Sequence, residues 1–214
     1  MSRDIDALPH GHFKAILADP PWQFTTYGGK GVTPHRTQDD HYETMSLDDI
    51  KALPIGDLAH RDCALFMWVI DSHLDQAIEL ARSWGFEFKT RAFTWRKLTK
   101  CGTRARMGMG YWTRKQTEMC WLFTRGKPKR LSKGVPEIID APRRRHSEKP
   151  DEQYEQIEAL VEGPFLELFA RKTRPGWMSW GNEVGKLDSP LPTDIAALIG
   201  GDTTVVDPVL ELVG

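Results

Sequence analysis

The chain has 214 residues, 40% of them hydrophobic, 28% charged and 10% aromatic, with a net charge of −1. That length fits about one domain, and the composition is that of a globular protein able to bury a core, which excludes a disordered, collagen-like or coiled-coil chain. Apolar runs such as residues 63–70 fall far short of the ~20 needed to span a bilayer, and no basic stretch leads into an apolar one at the N-terminus, so a soluble cytoplasmic chain without a signal peptide is expected.

Residues 13–19 read as a strand, ended by Pro20 and Pro21, which cannot continue a ladder. Residues 23–41 are rich in Gly, Thr and Pro around Gly28, Gly29 and Gly31. Their spacing matches no phosphate-binding fingerprint, so they read as a flexible lid. Ser46 caps a short helix reaching about Leu53, and residues 63–70 have the continuous apolar character of a strand covered on both faces. A helix over 72–84 follows, capped by Ser72, with Leu74, Ile78 and Ala81 on one face and Gly85 at its end.

Strands are expected at 86–95 and 118–124, separated by a basic, Gly-rich loop over 96–116 and followed by a basic, Pro-containing connection. Pro150 opens a helix to about Val161, with Asp151 and Glu152 where the helix dipole favours acids. Residues 165–170 and 177–180 supply two more strands. Strands alternating with helices predict a three-layer α/β/α domain with a mostly parallel sheet, over residues 1–186, and a weakly ordered tail over 187–214.

Charge is unevenly spread. Residues 89–149 hold 18 Lys and Arg against four acids, Glu118, Glu137, Asp140 and Glu148. Two readings fit: a solvated face on long loops, or a polyanion-facing side, which the interleaved Trp95, Tyr111 and Trp112 favour. Cys63, Cys101 and Cys120 match no zinc spacing, and the seven histidines form no His-x-x-x-His pair, so no metal is expected. Cys63 and Cys120 read as core residues, and a reducing compartment is expected.

Asp19-Pro20-Pro21-Trp22 carries the chemistry, because ligands of open α/β sheets bind outside the carboxyl ends of strands. Neither proline has an N–H, so the turn offers carbonyl acceptors, Asp19 adds a carboxylate, and Trp22 offers a flat apolar face. Acceptors beside a stacking platform suit the exocyclic amine of a nucleobase. Accepting both amine hydrogens draws the nitrogen lone pair out of the ring and makes it a nucleophile for an electrophile held in line.

Asp-Pro-Pro-Trp resembles the signature of the adenine-N6 methyltransferases, a family that includes the catalytic subunit of the eukaryotic mRNA adenosine methyltransferase and phage and bacterial DNA enzymes. The similarity covers about residues 12–185 and includes, in the family's order, residues 41–46, 65–69, 147–152, 167–171 and 177–183. It implies a Rossmann-like methyltransferase fold in the permuted arrangement, with the catalytic motif near the N-terminus and much of the cofactor pocket near the C-terminus. It implies S-adenosylmethionine against Asp19, Lys149, Glu167, Arg171, Asn182 and Glu183, with Glu167 the weakest of the set, fit only to hold Arg171 or a neighbouring loop. Tyr42 would lie near the target base, and Arg143, Arg144 and Arg145 would meet phosphates.

The implied activity is methylation of adenine N6 in DNA, with RNA as the alternative substrate, by a monomer or homodimer. A catalytically silent nucleic-acid-binding partner subunit is the competing reading. The presence of Asp19, Lys149 and Asn182 together speaks for the active chain.

Overall fold

The computed structural model describes residues 4–22, 45–99, 101–102, 104–108, 112–144, 147–185 and 188. Seven strands form one sheet: β1 (Phe13–Ala18), β2 (Ala59–Val69), β3 (Glu87–Leu98), β4 (Thr117–Arg125), β5 (Ile138–Pro142), β6 (Phe165–Leu168) and β7 (Trp177–Trp180). They lie in the order β5-β3-β4-β2-β1-β6-β7, and only β4 runs antiparallel to its neighbours. The carboxyl ends of the other six therefore share one edge with the start of β4.

Strand period explains the layers, since successive side chains face opposite ways. On β1 and β2, Ile16, Ala18, Leu65 and Met67 join one buried cluster, while Ala15, Leu17, Phe66 and Trp68 join the other. The first is roofed by α1 (Leu47–Lys51), α2 (Ile55–Leu58) and α3 (Leu74–Ser83) through Ile50, Leu58, Leu80 and Ala81; the second by α4 (Glu152–Leu160) through Tyr154 and Ile157. The result is the expected three-layer α/β/α fold with a mostly parallel sheet.

Several local expectations hold and several change. The Ser46 hydroxyl accepts the Asp49 N–H at 3.1 Å, the N-cap geometry read from sequence. Gly85, at φ +83°, ends the α3 segment. Ser72 is not the cap of α3. A 3-10 turn over Asp71–His73 precedes the helix, and the Ser72 hydroxyl lies 2.8 Å from His73 Nδ1. Helix α4 is shorter than its expected span and has no side-chain cap bond from Asp151.

Strand β2 starts four residues before its apolar run, because His60, Arg61 and Asp62 leave the core at the sheet's rim. Within the connection after β4 the sequence shows no strand, yet β5 pairs there in parallel with β3, burying only Ile139 and Ala141. Five residues with two buried positions are too few to give a periodic signal. The lid at 23–41, Tyr42, Arg145 and the tail, apart from Asp188, lie outside the described residues.

Candidate active site at the carboxyl edge of the sheet

Asp19 emerges at the carboxyl end of β1, between the ends of β2 and β6. Its carboxylate accepts a hydrogen bond from Lys149 Nζ at 2.6 Å, and its side chain, 34% exposed, faces a cavity. Burial raises the Asp19 carboxyl above its ordinary pKa; Lys149 and Arg171 oppose that and Glu118 adds to it. Lys149 comes from the stretch leading into α4, with only 11% of its side chain exposed, and sits 5.6 Å over the Trp68 ring. The antiparallel course of β4 brings Glu118 to this edge, 3.5 Å from Lys149 and in contact with Lys97. Burial alone would raise Glu118, but these two ammonium groups outweigh it and hold its pKa low.

This narrow cavity of about 40 Å³, open to solvent, includes Leu17, Asp19, Trp68, Lys149, Tyr154, Glu167, Phe169 and Arg171 in its wall. Its wall is unevenly satisfied. Glu167 Oε1 accepts from the Tyr154 hydroxyl at 3.0 Å, while Glu167 Oε2 is buried with no hydrogen-bond partner among the described residues. Burial, reinforced by Asp19 and opposed by Tyr154, pushes the Glu167 carboxyl up to about 7. Two non-glycine residues with left-handed backbones border the same cavity, Ser147 at φ +58° and Phe169 at φ +59°. Backbone held in that sparsely populated region concentrates at ligand sites.

A methyltransferase family model, MT-A70, matches residues 13–183, which include every one of these groups. The chain belongs to the MT-A70 family. A Type II methyltransferase of Mycoplasma sp, M.MunI, is 32% identical over 205 residues, covering 87% of this chain and 84% of the relative. The human N(6)-adenosine-methyltransferase catalytic subunit METTL3 and a Drosophila melanogaster MT-A70-like N(6)-adenosine-methyltransferase are each 30% identical over 187 residues and 85% of this chain. The chain spans 30% and 28% of their respective lengths.

Against this MT-A70 frame, the residues singled out in sequence divide into groups. Asp19, Lys149, Glu167 and Arg171 meet around one cavity. Glu183 joins through Arg171, whose Nε lies 2.9 Å from Glu183 Oε2. Glu167 holds Tyr154 rather than Arg171 and supplies an unpartnered buried oxygen to the cavity, which makes it a stronger member than the sequence suggested. Asn182 is exposed in the turn after β7.

Trp22 does not present the open stacking face expected of it. The ring is 5% exposed in the core, its Nε1–H donates to the Trp68 carbonyl at 3.4 Å, and Met45 pairs with it across an isolated bridge. The proline carbonyls are not idle either: Pro20 O accepts from Trp22 N at 2.8 Å, and Pro21 O from Met45 N at 3.2 Å. Trp22 thus ties the motif to the core and shapes the turn.

The three arginines expected to meet phosphates are placed differently from one another. Arg144 is ion-paired with Asp151, Arg143 is half-buried after β5, and Arg145 is not among the described residues. Glu118, Tyr154 and Phe169 were not singled out in sequence. Only Glu118 left a signal there, as a rare acid amid 18 cations. Among the described residues no group of three His, Cys, Asp or Glu is placed to hold a metal, and no helix is long and apolar enough to cross a membrane.

Proposed function

We propose that this chain transfers a methyl group from S-adenosylmethionine to the exocyclic N6 amine of adenine in DNA. The observation that carries the reading is the Asp19–Lys149 pair beside a cavity lined by a buried carboxylate oxygen, Glu167 Oε2, that has no hydrogen-bond partner among the described residues. The donor set fits the cofactor: Asp19 can hold an ammonium, Lys149 a carboxylate, and Glu167 and Glu183 can accept from ribose hydroxyls. When bound, S-adenosylmethionine supplies an electrophilic methyl group carried on a sulfonium.

The chain's own part is to bind, orient and polarise the amine. A carbonyl oxygen has two lone pairs, so the Pro20 carbonyl can take a second donor beside the Trp22 N–H. With Asp19 it accepts the amine hydrogens, localises the nitrogen lone pair and stabilises the positive charge that grows on N6. Asp19 takes the released proton, a role suited to a carboxyl whose burial raises its pKa. The adenine must leave its stack to reach this depth.

The choice of DNA rests on the Type II methyltransferase relative, matched over most of its length, against adenosine methyltransferases of which the chain covers under a third. The test is methyl transfer to duplex DNA, single-stranded DNA and RNA, read by nucleoside mass spectrometry. N6-methyladenine in DNA, lost in Asp19→Ala, is expected. Product confined to RNA would overturn the substrate, and no product in any polymer would overturn the reaction.

A further inference from the structure

Strand β4 links two differently charged ends of the molecule. Over nine residues at ~3.3 Å per step it runs about 26 Å from Thr117, next to Glu118 at the catalytic edge, to Arg125 at the opposite edge. There the chain reads Gly-Lys-Pro-Lys-Arg-Leu-Ser-Lys over residues 126–133, four cations in seven residues, with no acid from Gly126 to Pro136. Lys127, Lys129, Arg130 and Lys133 are all exposed, and among the described residues no ion pair engages their side chains. The two acids that line a surface groove together with Lys127 and Lys129 already have partners: Glu162 lies 3.3 Å from Lys14, and Asp62 lies 3.3 Å from Arg61.

This loop is held in place. The Lys127 backbone N–H donates to Asp62 Oδ1 at 2.8 Å, and the Leu131 N–H donates to the Leu160 carbonyl at 2.8 Å. Gly126 sits at φ +62°, where a Cβ would come within 2.2 Å of the Arg61 carbonyl oxygen, so only glycine fits that turn. Elsewhere in the basic stretch five cations are neutralised locally, Arg91 by Glu137, Arg96 by Asp140, Lys97 by Glu118, Lys115 by Asp71 and Arg144 by Asp151, while Arg104, Arg106 and Arg114 are exposed with no ion pair among the described residues but are scattered over eleven positions rather than clustered. A tethered loop that keeps four cations in water without partners is pre-arranged for a polyanion.

We propose that residues 127–133 form a second phosphate-contacting surface, on the edge opposite the catalytic pocket, which engages the backbone of nucleic acid remote from the target base. The inference rests on the nucleic-acid reading above. A duplex just long enough to cover the pocket ends before this edge, and a longer one reaches it by bending toward the protein, a deformation that the extra phosphate contacts of residues 127–133 would offset.

The test compares the wild type with a variant carrying Lys127→Ser, Lys129→Ser, Arg130→Ser and Lys133→Ser. Fluorescence anisotropy follows binding to duplexes of about 14 and about 60 bp across a salt series. On the longer duplex the log–log salt slope should become less negative by up to ~3.6, at ~0.9 per phosphate contact, while the short-duplex slope is unchanged. Methyl transfer on the short duplex at the wild-type rate shows that the fold is intact. Should that rate fall, the single variants Lys129→Ser and Arg130→Ser, each expected to change the long-duplex slope by ~0.9, decide instead.

An unchanged slope on both lengths overturns the surface. An equal loss on both puts these cations at the target base and overturns the remote placement. Binding needs no methyl transfer, so a length-dependent slope without N6-methyladenine would sink the reaction and keep this surface. Full activity with an unaltered slope would do the reverse.

Discussion

At the carboxyl edge of the sheet, Lys149 is nearly buried, faces Asp19 and Glu118, and lies over an indole; at the amino edge, Lys129 and Arg130 stand in water with no ion pair among the described residues. All three belong to the same +14 stretch, and composition treats them alike. The difference lies in what desolvation demands. A buried cation must be matched by carboxylates and hydrogen bonds, whereas an exposed one remains hydrated and available to a diffusing anion. A charge run therefore marks two functions here, separated by the length of a strand.

The largest expected effect that tests this contrast is at Asp19. Asp19→Ala should lower methyl transfer by ~10²–10⁴-fold with the fold retained, measured in single turnovers with a thermal melt as control. A loss under tenfold would remove Asp19 from the chemistry.

Lys149→Met comes next, because it leaves Asp19 and Glu118 as uncompensated carboxylates at one site. Calorimetry should show cofactor affinity reduced by about 30-fold or more, and Glu118→Gln in the same background should restore part of it. If Lys149→Met behaves like Lys129→Ala, the distinction between the two edges collapses.

Glu167 sharpens the contrast through pH. A carboxyl raised to about 7 in the folded state binds more protons there than in the unfolded chain, so its contribution to stability is complete at low pH and is lost as pH rises from its unfolded value through about 7. Denaturant melts of Glu167→Gln should lack that decline, differing from wild type increasingly up to neutral pH by on the order of 1–3 kcal/mol and then levelling off. Parallel curves for the two proteins would show that Glu167 is not the titrating group.

A smaller effect is expected at Asp188, whose carboxylate accepts from both the Thr173 N–H and the Thr173 hydroxyl at 2.9 Å. That clasp holds the strand connection carrying Arg171, Lys172 and Arg174, which pair with Glu183, Glu148 and the Tyr154 ring. Asp188→Ala should raise the cofactor KM about fivefold, the worth of ~1 kcal/mol of hydrogen bonding, with kcat unchanged. A fall in kcat alone would place Asp188 in the chemistry instead. The smallest change belongs to the amino edge: Lys129→Ala should shift stability by no more than ~0.5 kcal/mol in a melt.

Much of this architecture is legible in the sequence because its signals are local. The apolar runs of β1 and β2, the Ser46 cap, the Gly85 stop and the Trp177–Trp180 strand each announce themselves within a few residues. Asp19-Pro20-Pro21-Trp22 is likewise contiguous, and the separated motifs around Lys149 and Arg171 are recognisable by their order along the chain.

Other features depend on register and direction, which no single segment encodes. Glu118 reaches the site only because β4 runs antiparallel between β2 and β3 and starts at the edge where the other strands end. Strand β5 is visible only through its pairing with β3. Trp22 became a core residue, Glu167 a partner of Tyr154, and Arg144 a partner of Asp151 because side-chain partners are chosen in space, where burial sets the cost of leaving a polar group unmatched. From the sequence alone came the family, the layer architecture and the motif that bears the chemistry. Only the tertiary structure decided which charges share a desolvated pocket and which remain in water, because the two ends of one strand meet different solvents.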